Sequence, residues 1–157
     1  MKPKTFTKFS TTPALAERLV ELACLDHLPH PASILEPSAG MGHLAAAILD
    51  RLKTINCQAS LSLYEVDPPR FDRLQRHFCE VPILKHVVCQ CFEGDFLQSR
   101  DLGLFDRIIA HPPFGQGEDL KHVLKMLEYL APGGILVTVI VGHGSNLAGG
   151  TKVSPLA

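Results

Sequence analysis

Between residues 12 and 141 the chain alternates helix-length and strand-length apolar patterns, and that alternation restricts the fold more than any other feature. Thr12 to Asp26 carries apolar residues at helical spacing (Leu15, Leu19, Val20, Leu22, Ala23), with Thr11 or Thr12 suited to the N-cap and Pro13 to the first turn. Pro29 and Pro31 interrupt the pattern. ASILE at 32–36 predicts a short strand and MGHLAAAILDRLK at 41–53 a helix rich in strong helix formers. ASLSLYEV at 59–66 predicts a second strand, ended by Asp67-Pro68-Pro69 and followed by a helix over 70–79. Further strands are predicted at 86–92, 104–110 and 135–141, with a helix over 118–130 that Pro132-Gly133-Gly134 stops. Strands separated by helices imply an α/β fold with a mostly parallel sheet and right-handed crossovers. Such sheets bind ligands beyond the carboxyl ends of their strands, so function is to be sought at those ends.

Composition sets outer bounds. A length of 157 residues suits one domain, and 46% hydrophobic against 20% charged residues provides for a buried core. A net charge of −1 argues against a chain that coats nucleic acid through its own charge, although Lys2, Lys4, Lys8 and Arg18 lean the N-terminal part basic. No apolar run is long enough to span a bilayer, and MKPKTFTKFSTTP lacks the apolar centre of a secretory signal, so a cytoplasmic protein with no membrane partner is expected. Cys24, Cys57, Cys79, Cys89 and Cys91 are odd in number and share no repeated spacing. Cys89 and Cys91 are expected on opposite faces of one strand, which disfavours a shared metal; reduced core thiols and no metal site are expected.

Three strand ends carry candidate chemistry. The first strand ends in Glu36-Pro37-Ser38-Ala39-Gly40-Met41-Gly42 before a helix begins. Two glycines in a strand-to-helix turn let the backbone approach a ligand, and helix N–H groups attract negative charge. The turn lacks the first glycine of a dinucleotide fingerprint, and no phosphate-binding Gly-Lys-Ser/Thr follows, which favours a smaller ligand bearing a carboxylate. The second strand ends at Glu65, a carboxylate able to accept from both hydroxyls of a ribose. The third ends near Gly94-Asp95-Phe96, where Asp95 is able to accept from an adenine amino group and Phe96 to pack on the ring. Each acid also suits a turn or a helix cap. Acids at two neighbouring strand ends beside one glycine turn are more telling than either alone.

The fourth strand ends in RIIAHPPFG at 107–115, where a buried strand runs into a rigid proline pair. With that loop added, the sequence resembles the class I S-adenosylmethionine-dependent methyltransferases, and within them the DNA N6-adenine amino-methyltransferases of phages, plasmids and mobile elements. The resemblance rests on FSTTP (9–13), ILEPSAGMG (34–42), LYEVD (63–67), EGDF (93–96), FDRIIAHPPF (105–114) and LAPGGILV (130–137), in order along the chain. It implies a three-layer Rossmann-like sheet of strand order 3-2-1-4-5, with residues 1–142 as the S-adenosylmethionine-binding domain and 143–157 as an irregular tail. It implies that Phe9, Thr11 and Thr12 touch the methionine part of S-adenosylmethionine. Ser38, Ala39, Gly40 and Gly42 would line that site by main chain, with Glu36 beneath. Glu65 would hold the ribose, and Asp95 with Phe96 the adenine.

It further implies that His111, Pro112, Pro113 and Phe114 form the catalytic loop. An exocyclic amine is a poor nucleophile because its lone pair is delocalised into the ring, and acceptors on its N–H groups favour attack on a methyl group. Two prolines fix the backbone direction, and an aromatic residue stacks on a flipped base. The family places Asn or Asp where this chain has His111. Three readings stay open at this point: the imidazole replaces the acceptor, serves as base for another nucleophile such as a hydroxyl or thiol, or marks a silent cofactor-binding subunit. The family's sheet also continues with a helix and an antiparallel hairpin, for which 143–157 is too short. The strand 135–141 is thus expected to be an open edge, covered in a homodimer or completed in a longer chain. The expected substrate is a nucleic-acid base, DNA before RNA, with protein amides as a runner-up. A partner subunit would supply target recognition.

Overall fold

The computed structural model describes residues 10–80, 84–115 and 117–140. Phe9 and the tail 143–157 lie outside the described residues. Five strands, β1 (Ala32–Glu36), β2 (Ala59–Glu65), β3 (Val87–Glu93), β4 (Phe105–Ala110) and β5 (Leu130–Thr138), form one sheet in the order β3-β2-β1-β4-β5. Every ladder is parallel, which is the expected 3-2-1-4-5 arrangement. The order reverses between β1 and β4, so the crevice for a ligand opens beyond their carboxyl ends.

Helices α1 (Pro13–Leu22), α2 (His43–Thr54) and α3 (Pro68–Leu74) belong with one face of the sheet, and α4 (Glu118–Leu127) with the other. The chain starts α1 at Thr12, whose side chain accepts from Leu15 N, and α3 at Asp67, which accepts from Arg70 N; each is followed by a first-turn proline. On the three-helix face, Leu19, Leu44, Ile48, Leu52 and Leu74 pack against Ile34, Leu61 and Leu63. Burial of each larger aliphatic side chain stabilises by about 1.5–3 kcal/mol. The opposite face gathers Leu35, Tyr64, Phe96, Ile108, Met126 and Leu136. Inward residues of one strand thus alternate between the two cores, as period-two geometry requires. The buried Arg107 ties α1 to the sheet, donating from Nε to Ala23 O at 2.6 Å and from Nη2 to Cys24 O at 3.3 Å.

Two expectations are overturned. The last helix stops at Leu127 and β5 begins at Leu130, five residues before the predicted strand. Pro132-Gly133-Gly134 therefore does not end the helix; it bulges β5 between the pairs Phe105–Leu130 and Arg107–Ile135. Gly133 has φ +75°, and a Cβ on Gly134 would meet Ala131 O at 2.8 Å, so both positions need glycine. Cys89 and Cys91 do not diverge: residues two apart share a strand face, and both pack against the three-helix core. Cys91 Sγ lies 2.7 Å from Cys79 Sγ. Burial pushes the Cys89 thiol up to about 12 and raises that of Cys91 as well, which keeps both protonated.

Candidate active site

At the end of β1 the chain makes a tight turn, with Ala39 N donating to Tyr64 O and Gly42 N to Ala39 O, both at 2.8 Å. Gly40 sits at φ +57°, and the atom nearest to a Cβ built on it is Ser38 O at 4.0 Å, so its outer side is open. Glu65 organises the surroundings of this turn. Its Oε2 accepts from Gly40 N at 2.7 Å and its Oε1 from Asp67 N at 2.9 Å, while its carbonyl accepts from Gly94 N. One acid thus joins the turn after β1, the start of α3 and the loop after β3. Charge-assisted bonds of this kind are the stronger class of hydrogen bond.

Gly42 has a different local reason. At φ +85° it caps α2, and a Cβ there would lie 2.5 Å from Phe78 Cε2. Its bareness admits Phe78 and Leu74 beneath the turn. Glu36 is 2% exposed below them, and its Oε2 has no hydrogen-bond partner among the described residues. Burial first, and the neighbouring Glu65 charge second, raise its carboxyl well above the ordinary carboxylate range.

The loop after β4 brings the second group. Pro112 is buried, and Phe114 sets its ring 5.1 Å from that of His111 at 56°. His111 Nδ1 lies 3.0 Å from Thr11 Oγ1, one hundred residues away, and burial lowers the imidazole below its ordinary 6.5. Ser38 Oγ donates to the His111 carbonyl at 3.2 Å, binding the β1 turn to the β4 loop. Thr12 uses its hydroxyl as the α1 cap, while the Thr11 carbonyl accepts from His43 Nδ1 at 3.1 Å.

At the third strand end Asp95 caps a short 3-10 turn, Phe96–Gln98, with Oδ1 accepting from Leu97 N at 2.9 Å. Phe96 is 2% exposed and packs in an aromatic group with Tyr64 and Tyr129. His122 of α4, which the sequence reading passed over, stacks near it at 6.2 Å and 27°. Its Nδ1 lies 2.8 Å from the Glu118 carbonyl; a carbonyl only accepts, so Nδ1 carries the hydrogen. The helical spacing 118/122 was the available signal.

One cavity of about 890 Å³ joins these groups, lined among others by Ser38, Gly40, Glu65, Asp95, Phe96, His111–Phe114 and His122. That volume suits a small organic ligand with room for a second group. Glu36 and Gly42 stand under the turn, and Thr12 at the helix start. Among the described residues no group of three or more His, Cys, Asp or Glu is arranged to hold a metal. No described helix is long and apolar enough to cross a membrane.

Solved methyltransferase structures superpose on this fold. A candidate RNA methyltransferase of Pyrococcus horikoshii superposes with a TM-score of 0.64 at 23% identity, over 88% of this chain and 65% of that one. The methyltransferase subunit of a type I restriction-modification system from Streptococcus thermophilus gives 0.63 at 14% identity, over 83% of this chain and 34% of that one. The glycopeptide N-methyltransferase MtfA, solved with S-adenosylmethionine, gives 0.61 at 16%, over 99% of this chain and 70% of that one. In sequence, the chain is 30% identical over 98 residues to the type II methyltransferase M.AccI of Acinetobacter calcoaceticus, which is 61% of this chain and 16% of that protein. The chain therefore spans about a sixth of that curated relative's length. No family model matches the chain.

Proposed function

We propose that this chain is an S-adenosylmethionine-dependent N-methyltransferase acting on an exocyclic amine of a nucleic-acid base, with DNA adenine as the first candidate. The observation that carries the reading is the meeting, in one cavity, of the Gly40–Glu65 turn with the His111-Pro112-Pro113-Phe114 loop. The residues fit the cofactor: Gly40 is open on its outer side, and Glu65 and Asp95 line the same cavity, where we assign them to ribose and adenine. Bound there, S-adenosylmethionine supplies an electrophilic methyl group. Thr11, Ser38 and the main chain of Ala39 and Gly40 are assigned to its methionine part.

The remaining work falls to the chain. Phe114 would stack on the base, and the proline pair fixes the direction of the loop that would receive its amine. An amine that took up a methyl group from S-adenosylmethionine held there would have a proton to lose. His111, neutral because it is buried, accepts it at the ring nitrogen that Thr11 does not occupy. The likeness to M.AccI supports DNA among nucleic-acid substrates, and target recognition by further sequence or a partner subunit fits a chain that matches a sixth of that relative.

Isothermal titration with S-adenosylmethionine and with its demethylated product tests the first half; no binding at millimolar ligand ends the reading. Transfer of tritium from labelled cofactor to DNA, RNA and protein pools tests the second half. Label in protein alone would redirect the substrate, and binding without transfer to any pool would identify a silent cofactor-binding subunit.

A further inference from the structure

The hydroxyl of Thr11 meets a nitrogen of the cavity-lining His111 across one hundred residues of sequence, at 3.0 Å. A threonine hydroxyl is able either to donate to that nitrogen or to accept from it, and the choice decides what the other nitrogen offers. If Nδ1 is bare, Nε2 carries hydrogen and presents a donor to an incoming N–H. If Nδ1 carries hydrogen and gives it to Thr11, Nε2 is a bare acceptor. Only the second arrangement suits a substrate that must lose a proton. We propose that Thr11 is a positioning residue that holds His111 in its Nδ1–H tautomer and thereby turns Nε2 into the cavity's proton acceptor. The proposal rests on the N-methyltransferase reading for its choice of tautomer, while the contact itself stands apart from that reading.

Four further observations bear on it. Thr11 is anchored on both sides: its carbonyl accepts from His43 Nδ1 at 3.1 Å, and Thr12 beside it caps α1. The rotor that meets His111 therefore stands on fixed backbone. The His111 carbonyl is held in turn by Ser38 Oγ at 3.2 Å, so the imidazole is oriented from its main chain as well as from its ring. Among the described residues Nε2 has no protein partner, and His111 lines the cavity. The second cavity imidazole, His122, shows the same pattern with the ambiguity removed, because its Nδ1 faces a carbonyl that only accepts. Thr11 thus gives His111, on a loop, what helix geometry gives His122. In this role Thr11 acts through His111, which is different from contact with the cofactor.

The test reads the ring directly. Long-range proton–nitrogen correlation spectra of the full ¹⁵N-labelled chain at pH 7.5 report the tautomer of each histidine, with His111 identified by the signal lost in His111→Asn. The expected spectrum shows Nδ1–H in the wild-type chain and in Thr11→Ser, and a majority of Nε2–H in Thr11→Val. A wild-type His111 with hydrogen on Nε2 overturns the proposal without any variant having to fold. So does a Thr11→Val spectrum indistinguishable from wild type. In transfer assays at saturating cofactor, kcat is expected to fall about tenfold in Thr11→Val and to return to within about twofold in Thr11→Ser. An equal loss in the Ser and Val variants overturns the tautomer role. Absence of transfer by the wild-type chain instead overturns the enzyme reading, while the spectrum still decides the role of Thr11.

Discussion

The two ends of the cavity are built on different principles. The end formed by β1 and β2 is a lattice of backbone: Gly40, Asp67 and Gly94 all give their N–H groups to one residue, Glu65, whose carboxylate takes the first two at 2.7 and 2.9 Å. The end formed by β4 is a cluster of side chains: His111, Phe114 and Thr11, joined to the first end through Ser38. The first end defines a shape, and its chemistry is complete when the chain folds. The second depends on where one proton sits, because imidazole is acceptor, donor or cation according to its surroundings. On the proposed function, binding and reaction are therefore expected to separate by mutation at the two ends.

The largest effect is expected at the first end. Glu65→Ala removes the acceptor of two charge-assisted bonds worth about 1.5–3 kcal/mol each, and S-adenosylmethionine affinity by titration should fall by about 100-fold or more. A loss within about threefold would show that the carboxylate does not shape the cofactor end.

At the second end, His111→Ala should cut methyl transfer by about 100-fold while cofactor affinity stays within about threefold. A parallel loss of affinity would erase the distinction between the two ends. The pH profile sharpens this prediction. Burial places the His111 titration below 6.5, so transfer should be level from pH 8 to 6.5 and decline below, as the imidazole charges. A rate unchanged down to pH 5 would remove His111 as acceptor.

Gly42→Ala examines the floor of the first end. The new Cβ meets Phe78 at 2.5 Å on a backbone with φ +85°, so about 2 kcal/mol of destabilisation is expected, read as a Tm about 4–8 °C lower. An unchanged Tm would mean that Phe78 moves aside without cost.

The smallest effect concerns Glu36. Its folded-state pKa is raised above the unfolded value of about 4.3, so its contribution is fully present below that pH and is lost as pH rises towards the folded value. Glu36→Gln does not titrate. Its Tm relative to wild type should therefore be higher at pH 8 than at pH 5, by about 2–4 °C for each kcal/mol. A gap that is the same at both pH values would mean that Glu36 ionises alike in the folded and unfolded chains.

Much of the first end was legible in the sequence. Strand and helix periods placed β1 at 32–36 and put Gly40, Glu65 and Asp95 at successive strand ends, because main-chain turns and caps are governed by nearby residues. The errors have physical reasons. Pro132-Gly133-Gly134 reads as a helix stop, yet pairing with β4 pulls this segment into the sheet as a bulge. A glycine at 42 has, besides its place in the turn, a packing reason that the sequence does not show, namely Phe78, thirty-six residues on. Cys89 and Cys91, expected on opposite faces, share one because strand side chains repeat every two residues. The 118/122 spacing shows that His122 meets the turn before it, but that α4 turns this face toward Phe96 and the cavity follows only from the fold.

By itself, the sequence determined the alternation of elements, and hence a parallel sheet, together with the residues at its carboxyl edge. Local hydrogen bonding, period and turn chemistry act over a few residues, so they can be read without the fold. Only the tertiary structure decided which of those residues meet. The Thr11–His111 contact and the Glu65–Gly40 bond join points 100 and 25 residues apart, and no local rule specifies them. The sheet brings the strand ends together because it buries two apolar faces at once, and the site lies where that burial makes the ends converge.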